Sequence, residues 1–251
     1  MDYFEQAPDP AHAHLIVNYW KFGIPDDLDA PFPHIIPPDG CISLVFSLNT
    51  IIPFRLVELS GAGFGMKETD IPPGTTFIGA RLRPEAYPCL FDIPVAEVMH
   101  QFVDLAHLPD LAAMLAAMTP GFDDFHMQGS YLRQRRAPNA LVGSLVDDML
   151  TSEGNVRVGT LLAGCPLSSR QLQRRFLCET GITVKEFARL QRMRRSIISL
   201  HNEAFSLTDT ALEQGFADQS HFIREAVKMS RQNPGRLREL YWRIRVQQFS
   251  W

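Results

Sequence analysis

The chain has 251 residues, 45% of them hydrophobic, which is enough for one large core or two smaller ones and speaks against a disordered chain. The net charge of −4 hides a division: residues 1–136 hold 8 Lys and Arg against 17 Asp and Glu, whereas residues 137–251 hold 16 against 11. The acidic half, at −9, is excluded as the seat of polyanion binding, and the basic half, at +5, is the candidate partner of nucleic acid.

The chain starts Met-Asp-Tyr-Phe-Glu, with neither a basic nor an apolar leader, and no apolar run approaches membrane-spanning length. Cys41, Cys89, Cys165 and Cys178 form no C-x-x-C pair and read as reduced thiols. A cytoplasmic protein with no membrane partner is expected. Residues 1–95 are rich in proline. Their short apolar runs, Leu15–Trp20, Ile42–Leu48, Leu56–Leu59 and Thr75–Leu82, are parted by clusters such as Pro37-Pro38-Asp39-Gly40 and Pro72-Pro73-Gly74. Short strands between such turns predict an antiparallel sandwich or barrel. His12, His14 and His34 lie here, but they lack the further acid and spacing of a metal set, so no metal or cofactor is expected. Gly61-Ala-Gly-Phe-Gly65 has no helix after it to complete a phosphate loop, and no nucleophile or paired-carboxylate set is evident.

From Pro94 the texture becomes helical. Val95–Val103 and Pro109–Met118 fit two helices, the second apolar enough either to be buried or to pair with another subunit. A polar stretch with Pro120-Gly121, Gly129 and Arg133-Gln-Arg-Arg136 reads as a linker over 119–138. The expected division is therefore 1–118, 119–138 and 139–251.

Asn139 can cap a helix to about Glu153, Arg157–Ala163 gives another, and Ser168 caps a third through Glu179. In that third helix Leu172 and Phe176 face inward, and Arg170, Gln173 and Arg174 face outward. Val184–Leu200 carries Phe187, Leu190, Met193, Ile197 and Leu200 at spacings of three and four, one long helix with Arg189, Arg192, Arg194 and Arg195 on its other side. These arginines fit a solvated face, or, for Arg194, a contact to DNA phosphate. Thr208–Gln214 is a short helix ended by Gly215, and Asp218 caps the next. There Phe222 and Ala226 face inward, with Leu212 and Phe216 to meet them, and Gln219, Ser220, His221 and Arg224 face outward. Cap, core pair and basic residue recur at an offset of fifty: Leu172 with Phe222, Arg174 with Arg224. Two helix-turn-helix units on a long helix would place their outward helices in major grooves about 34 Å apart.

Ser168-Ser-Arg-Gln-Leu-Gln-Arg-Arg-Phe176, Gly181-Ile-Thr-Val-Lys-Glu-Phe187, Gly215-Phe-Ala-Asp-Gln-Ser-His-Phe-Ile-Arg224 and Pro234-Gly-Arg-Leu-Arg238 carry a resemblance to the AraC/XylS family of bacterial transcription regulators over about 139–245. The resemblance implies an α+β chain, a mostly-β cupin-like sensor followed by an all-α DNA-binding domain. It places base contacts at Arg170, Gln173 and Arg174, and at Gln219, Ser220, His221 and Arg224. Double-stranded DNA is the implied partner; a small-molecule effector, RNA polymerase and a second copy of the chain are left open. His34–Phe46, Gly79–Ala86 and Ile93–Glu97 resemble, more loosely, the sensor domain attached to some members. Four departures stand out: Ala226 and Ser230 replace aromatics, Arg231 replaces glycine, and Pro166 stands where glycine is common. The first two should cost a few kcal/mol unless Val227 or Met229 repacks. An enzyme with autoregulatory DNA binding and an architectural module without sequence choice are the competing classes. Gln, Ser and His beside Arg favour base reading over backbone binding.

Overall fold

The computed structural model describes residues 1–36, 38–63, 67–118, 132–200, 206–242 and 245–248. The N-terminal half is built on nine strands: β1 (Asp2–Gln6), β2 (Ile16–Gly23), β3 (Phe32–Ile36), β4 (Ser43–Asn49), β5 (Arg55–Ser60), β6 (Lys67–Ile71), β7 (Thr75–Leu82), β8 (Phe102–Asp104) and β9 (Arg245–Gln248). Seven form one sheet in the order β8-β5-β4-β7-β2-β1-β9, and β3 pairs with β6 as a separate ribbon. The four apolar runs of the sequence became β2, β4, β5 and β7. Strand β4 is buried at all seven positions, which is why Ser43–Asn49 reads as a nearly continuous apolar run and not as an alternation. Its pairings with β5 and β7 are antiparallel.

The expected helix Val95–Val103 is a correction. One turn, α2 (Val95–Val98), follows α1 (Tyr87–Leu90), and the chain then turns through His100 at φ 63° into strand β8. The His100 and Gly61 N–H groups donate to the Ala62 and Gln101 carbonyls, at 2.9 and 2.8 Å, so pairing with the β5 side wins over helix continuation. Helix α3 (Pro109–Ala117) turns Leu111, Met114 and Leu115 inward. Its C-terminal end is closed by Arg55, whose Nη1 donates to the carbonyls of Leu115, Ala116 and Met118 at 3.1, 3.2 and 2.7 Å. Of the expected linker, residues 119–131 lie outside the described residues. The rest lies along the N-terminal half, with the Arg135 N–H donating to the Cys89 carbonyl at 2.9 Å and Arg133 paired with Asp110 at 3.0 Å.

The C-terminal half is helical: α4 (Ala140–Thr151), α5 (Val158–Ala163), α6 (Ser169–Thr180), α7 (Val184–Ser199), α8 (Leu207–Glu213), α9 (Gln219–Ser230) and α10 (Pro234–Trp242). The caps are those the residues dictate. Asn139 accepts from the Leu141 and Val142 N–H groups, and Ser168 with Gln171, Thr183 with Glu186 and Ser206 with Asp209 close reciprocal capping boxes. Asp218 accepts from the His221 N–H at 2.6 Å. Gly215, at φ 69°, supplies the left-handed residue between α8 and α9.

The two halves are not separate bodies joined by a tether. One hydrophobic core joins Phe22, Ile24, Phe32, Cys41 and Ile71 of the sheet-rich half to Leu172, Phe176, Phe187, Leu190 and Phe222 of the helical half. The halves meet closely at Gly40, where a Cβ would lie 2.7 Å from the Phe187 ring. Strand β9, from the end of the chain, lies parallel to β1 at the margin of the N-terminal sheet, so residues 245–248 fold with the N-terminal half although they follow the helices. A second core, including Tyr19, Leu44, Phe46, Leu59 and Met114, belongs to the sheet-rich half alone.

Candidate nucleic-acid interface

Helices α6 and α9 carry the candidate interface. In each, an inward pair anchors the helix: Leu172 and Phe176 in α6, Phe222 and Ala226 in α9, all fully buried. Because side chains three and four apart share a face, the outward residues follow from the inward ones. Arg170, Gln173 and Arg174 are exposed on α6, and Ser220 and Arg224 are exposed on α9. Among the described residues, none of the five side chains has a hydrogen bond or ion pair. Their polar ends are free for a partner.

The remaining two residues expected at base edges are partly engaged. Gln219 is half-buried and its Oε1 accepts the Thr208 hydroxyl at 2.8 Å, which leaves its amide NH₂ to donate. His221 is also half-buried. Its ring stands edge-on to Phe216 at 5.4 Å, and Nδ1 accepts the Ala217 N–H at 3.3 Å. His221 thus braces the turn, with Nε2 left to face outward chemistry.

Arg194 is a correction. Only 5% exposed, it sits in the seam between the halves and pairs with Glu5 of β1, itself 0% exposed. No phosphate can reach it there. Its whole helix face follows suit. Arg189 donates through Nη2 and Nε to one oxygen, Oε2, of Glu225 on α9 at 2.6 and 2.9 Å. Arg195 pairs with Glu153 at 3.1 Å, and Arg192 lies over the Phe216 ring at 5.0 Å. The arginine run of α7 holds the protein together. Burial pulls the Arg192 guanidinium below its usual value, and the Glu225 charge opposes that.

Leu212, expected to meet the α9 core, is instead 61% exposed; Phe216 does meet it, with ring centroids 5.1 Å from Phe222. The departures in α9 are accommodated locally. Met229 is buried and Val227 is not, so Met229 fills the seam. The Ser230 hydroxyl donates to the Ala226 carbonyl at 2.6 Å and accepts the Gln232 N–H at 3.0 Å, so no polar group is orphaned where an aromatic is common. Arg231 adopts φ 57°, the left-handed geometry that explains why glycine suits this position.

His34 is a half-buried residue beside the core. It packs 4.7 Å from the Phe22 ring and 6.3 Å from Phe32, and burial pushes its imidazole down to about 4. Among the described residues, no three His, Cys, Asp or Glu side chains gather where they could hold a metal ion.

Residues 163–240 match the model of a helix-turn-helix domain family. The helical half therefore carries a helix-turn-helix domain. Residues 5–104 match a domain of unknown function, DUF6597. Among solved structures the chain is similar to ToxT from Vibrio cholerae, with 9% identity and a TM-score of 0.48 over 96% of this chain and 99% of that one. It is also similar to ToxT from Vibrio cholerae O395 bound to (E)-4-(8-methylnaphthalen-1-yl)but-3-enoic acid, with 12% identity and a TM-score of 0.44 over 95% and 97%. No curated protein matches. Likeness at this level leaves residue roles to the chain's own geometry.

Proposed function

We propose that the chain is a transcription regulator of the AraC type, which reads a particular DNA sequence by laying α6 and α9 in successive major grooves. Arg170, Gln173 and Arg174 serve the first half-site. Ser220 and Arg224 serve the second, with Gln219 and His221 beside them contributing one donor group each. The observation that carries this reading is a contrast in arginines. Those of α6 and α9 that face outward have no partner among the described residues, whereas Arg189, Arg192, Arg194 and Arg195 of α7 are all engaged. A helix 16 residues long, as α7 is, spans about 24 Å and holds the two reading helices at a set separation.

Control enters, on this reading, from the sheet-rich half in the cytoplasm. It shares a core with α7, so a small molecule or a second copy acting on the sheet bears directly on the helix that spaces the two units. No helix among the described residues is long and apolar enough to cross a membrane.

Selection of genomic fragments by the full-length protein at about 150 mM salt tests the reading, beside an Arg174→Ala/Arg224→Ala control. Recovery of one motif spanning two adjacent major grooves, lost in the control, is expected. Recovery without a motif would replace sequence reading by backbone binding.

A further inference from the structure

The reading faces of α6 and α9 are longer than their polar residues. Positions i, i+3, i+4 and i+7 form one stripe along a helix. In α6 that stripe is Arg170, Gln173, Arg174 and Leu177; fifty residues on, in α9, it is Ser220, Ile223, Arg224 and Val227. The inward pairs recur at the same offset, so the two helices present equivalent stripes. At the far end of each stands an exposed aliphatic side chain: Leu177 is 45% exposed and Val227 is 43% exposed. Neither completes the core, since Phe176 and Ala226, their neighbours in sequence, already face it.

We propose that Leu177 and Val227 read thymine, one in each half-site, through its C5 methyl group. The inference rests on α6 and α9 entering major grooves. There the thymine methyl is the one apolar group that an unmodified base pair shows, so an aliphatic side chain has a single matching partner. Position also fits. Seven residues of helix advance about 10 Å from Arg170 or Ser220, about three base-pair steps. Each half-site therefore pairs a polar readout by the arginine with an A·T requirement by the aliphatic residue. Ile223, half-buried in the same α9 stripe at the place held by Gln173 in α6, extends the apolar surface of the second half-site and makes it the more thymine-rich of the two.

The test uses the full-length chain and its recovered site, with each thymine replaced in turn by uracil, which keeps base pairing and removes only the methyl. Wild-type binding should weaken about fourfold at one thymine in each half-site. Leu177→Ala should be indifferent to that replacement in the first half-site, and Val227→Ala in the second, while both keep the wild-type melting temperature because the side chains are exposed. The proposal is overturned if uracil costs wild type and variants equally, or costs nothing anywhere. It is also overturned if both variants bind DNA as wild type does but fail to regulate, which would assign the two side chains to a protein surface. In each of those cases, loss of motif recognition in Arg174→Ala and Arg224→Ala leaves sequence reading intact. Absence of any preferred site sinks both readings.

Discussion

Removing the Arg194 guanidinium tests the seam between the two halves. The Glu5 carboxylate accepts from the Tyr3 hydroxyl at 2.6 Å, Asn18 Nδ2 at 3.0 Å, Arg81 Nη1 at 3.2 Å and Arg194 Nη2. Arg81 in turn holds Asp39 at 2.5 Å, and Gln191 of α7 donates to the Asp39 carbonyl. Two carboxylates and two guanidinium groups balance. Arg194→Ala leaves that buried cluster one positive charge short, and breaking a buried pair from one side costs about 3–5 kcal/mol. For a chain of this size that lowers the melting temperature by about 6–20 °C. The double variant Glu5→Gln/Arg194→Met should be less destabilised than the sum of its single changes, by about 0.5–3 kcal/mol. Acid should act on the same seam. Desolvation pushes the Glu5 carboxyl up, but the Arg194 and Arg81 charges outweigh it and hold its pKa below the ordinary value of 4.5. The folded value is depressed, so the stabilisation is complete above about pH 4.5 and fades as pH falls through the folded pKa. Thermal unfolding of the full-length variants across pH measures all of this. A near-wild-type melting temperature for Arg194→Ala, with a DNA-binding salt slope reduced by about one, would refute the argument and return Arg194 to a phosphate role.

Arg231→Gly should stabilise the protein by about 0.5–1 kcal/mol, read by chemical unfolding, since it relieves a left-handed residue while keeping the helix end. Arg224→Ala should weaken binding by about 1–3 kcal/mol at particular base pairs; an equal loss on every sequence, in a base-by-base binding series, would make Arg224 a phosphate contact. The two units should respond unequally at the same repeat position. Leu162→Ala should cost about 2–4 kcal/mol because Leu162 is buried, and Leu212→Ala less than about 0.5 kcal/mol because Leu212 is exposed.

The helices were legible where their physics is local. Asn139, Ser168 and Asp218 each satisfy backbone groups within three residues, so their caps could be read from the chain alone. Residues 95–103 were misread because apolar periodicity over nine positions does not reveal a waiting sheet margin; β5 offered one, and the helix gave way after a single turn. Strands β1 and β9 left little signal, since a short, mixed-polarity segment becomes a strand only when a neighbour supplies its hydrogen bonds.

Sequence by itself determined the duplicated units, their caps, the inward pairs Leu172/Phe176 and Phe222/Ala226, and hence the outward faces that carry Arg170, Gln173, Arg174, Ser220 and Arg224. Each of these follows from spacings of three or four residues within one helix. Tertiary structure decided what the charges of α7 touch. Arg194 meets a carboxylate 189 residues away, and Arg189 meets one on a different helix 36 residues on. A basic run looks the same in sequence whether it faces solvent, phosphate or a buried glutamate; only the packed neighbour distinguishes them, because the cost of burying a charge depends on what lies within hydrogen-bond reach.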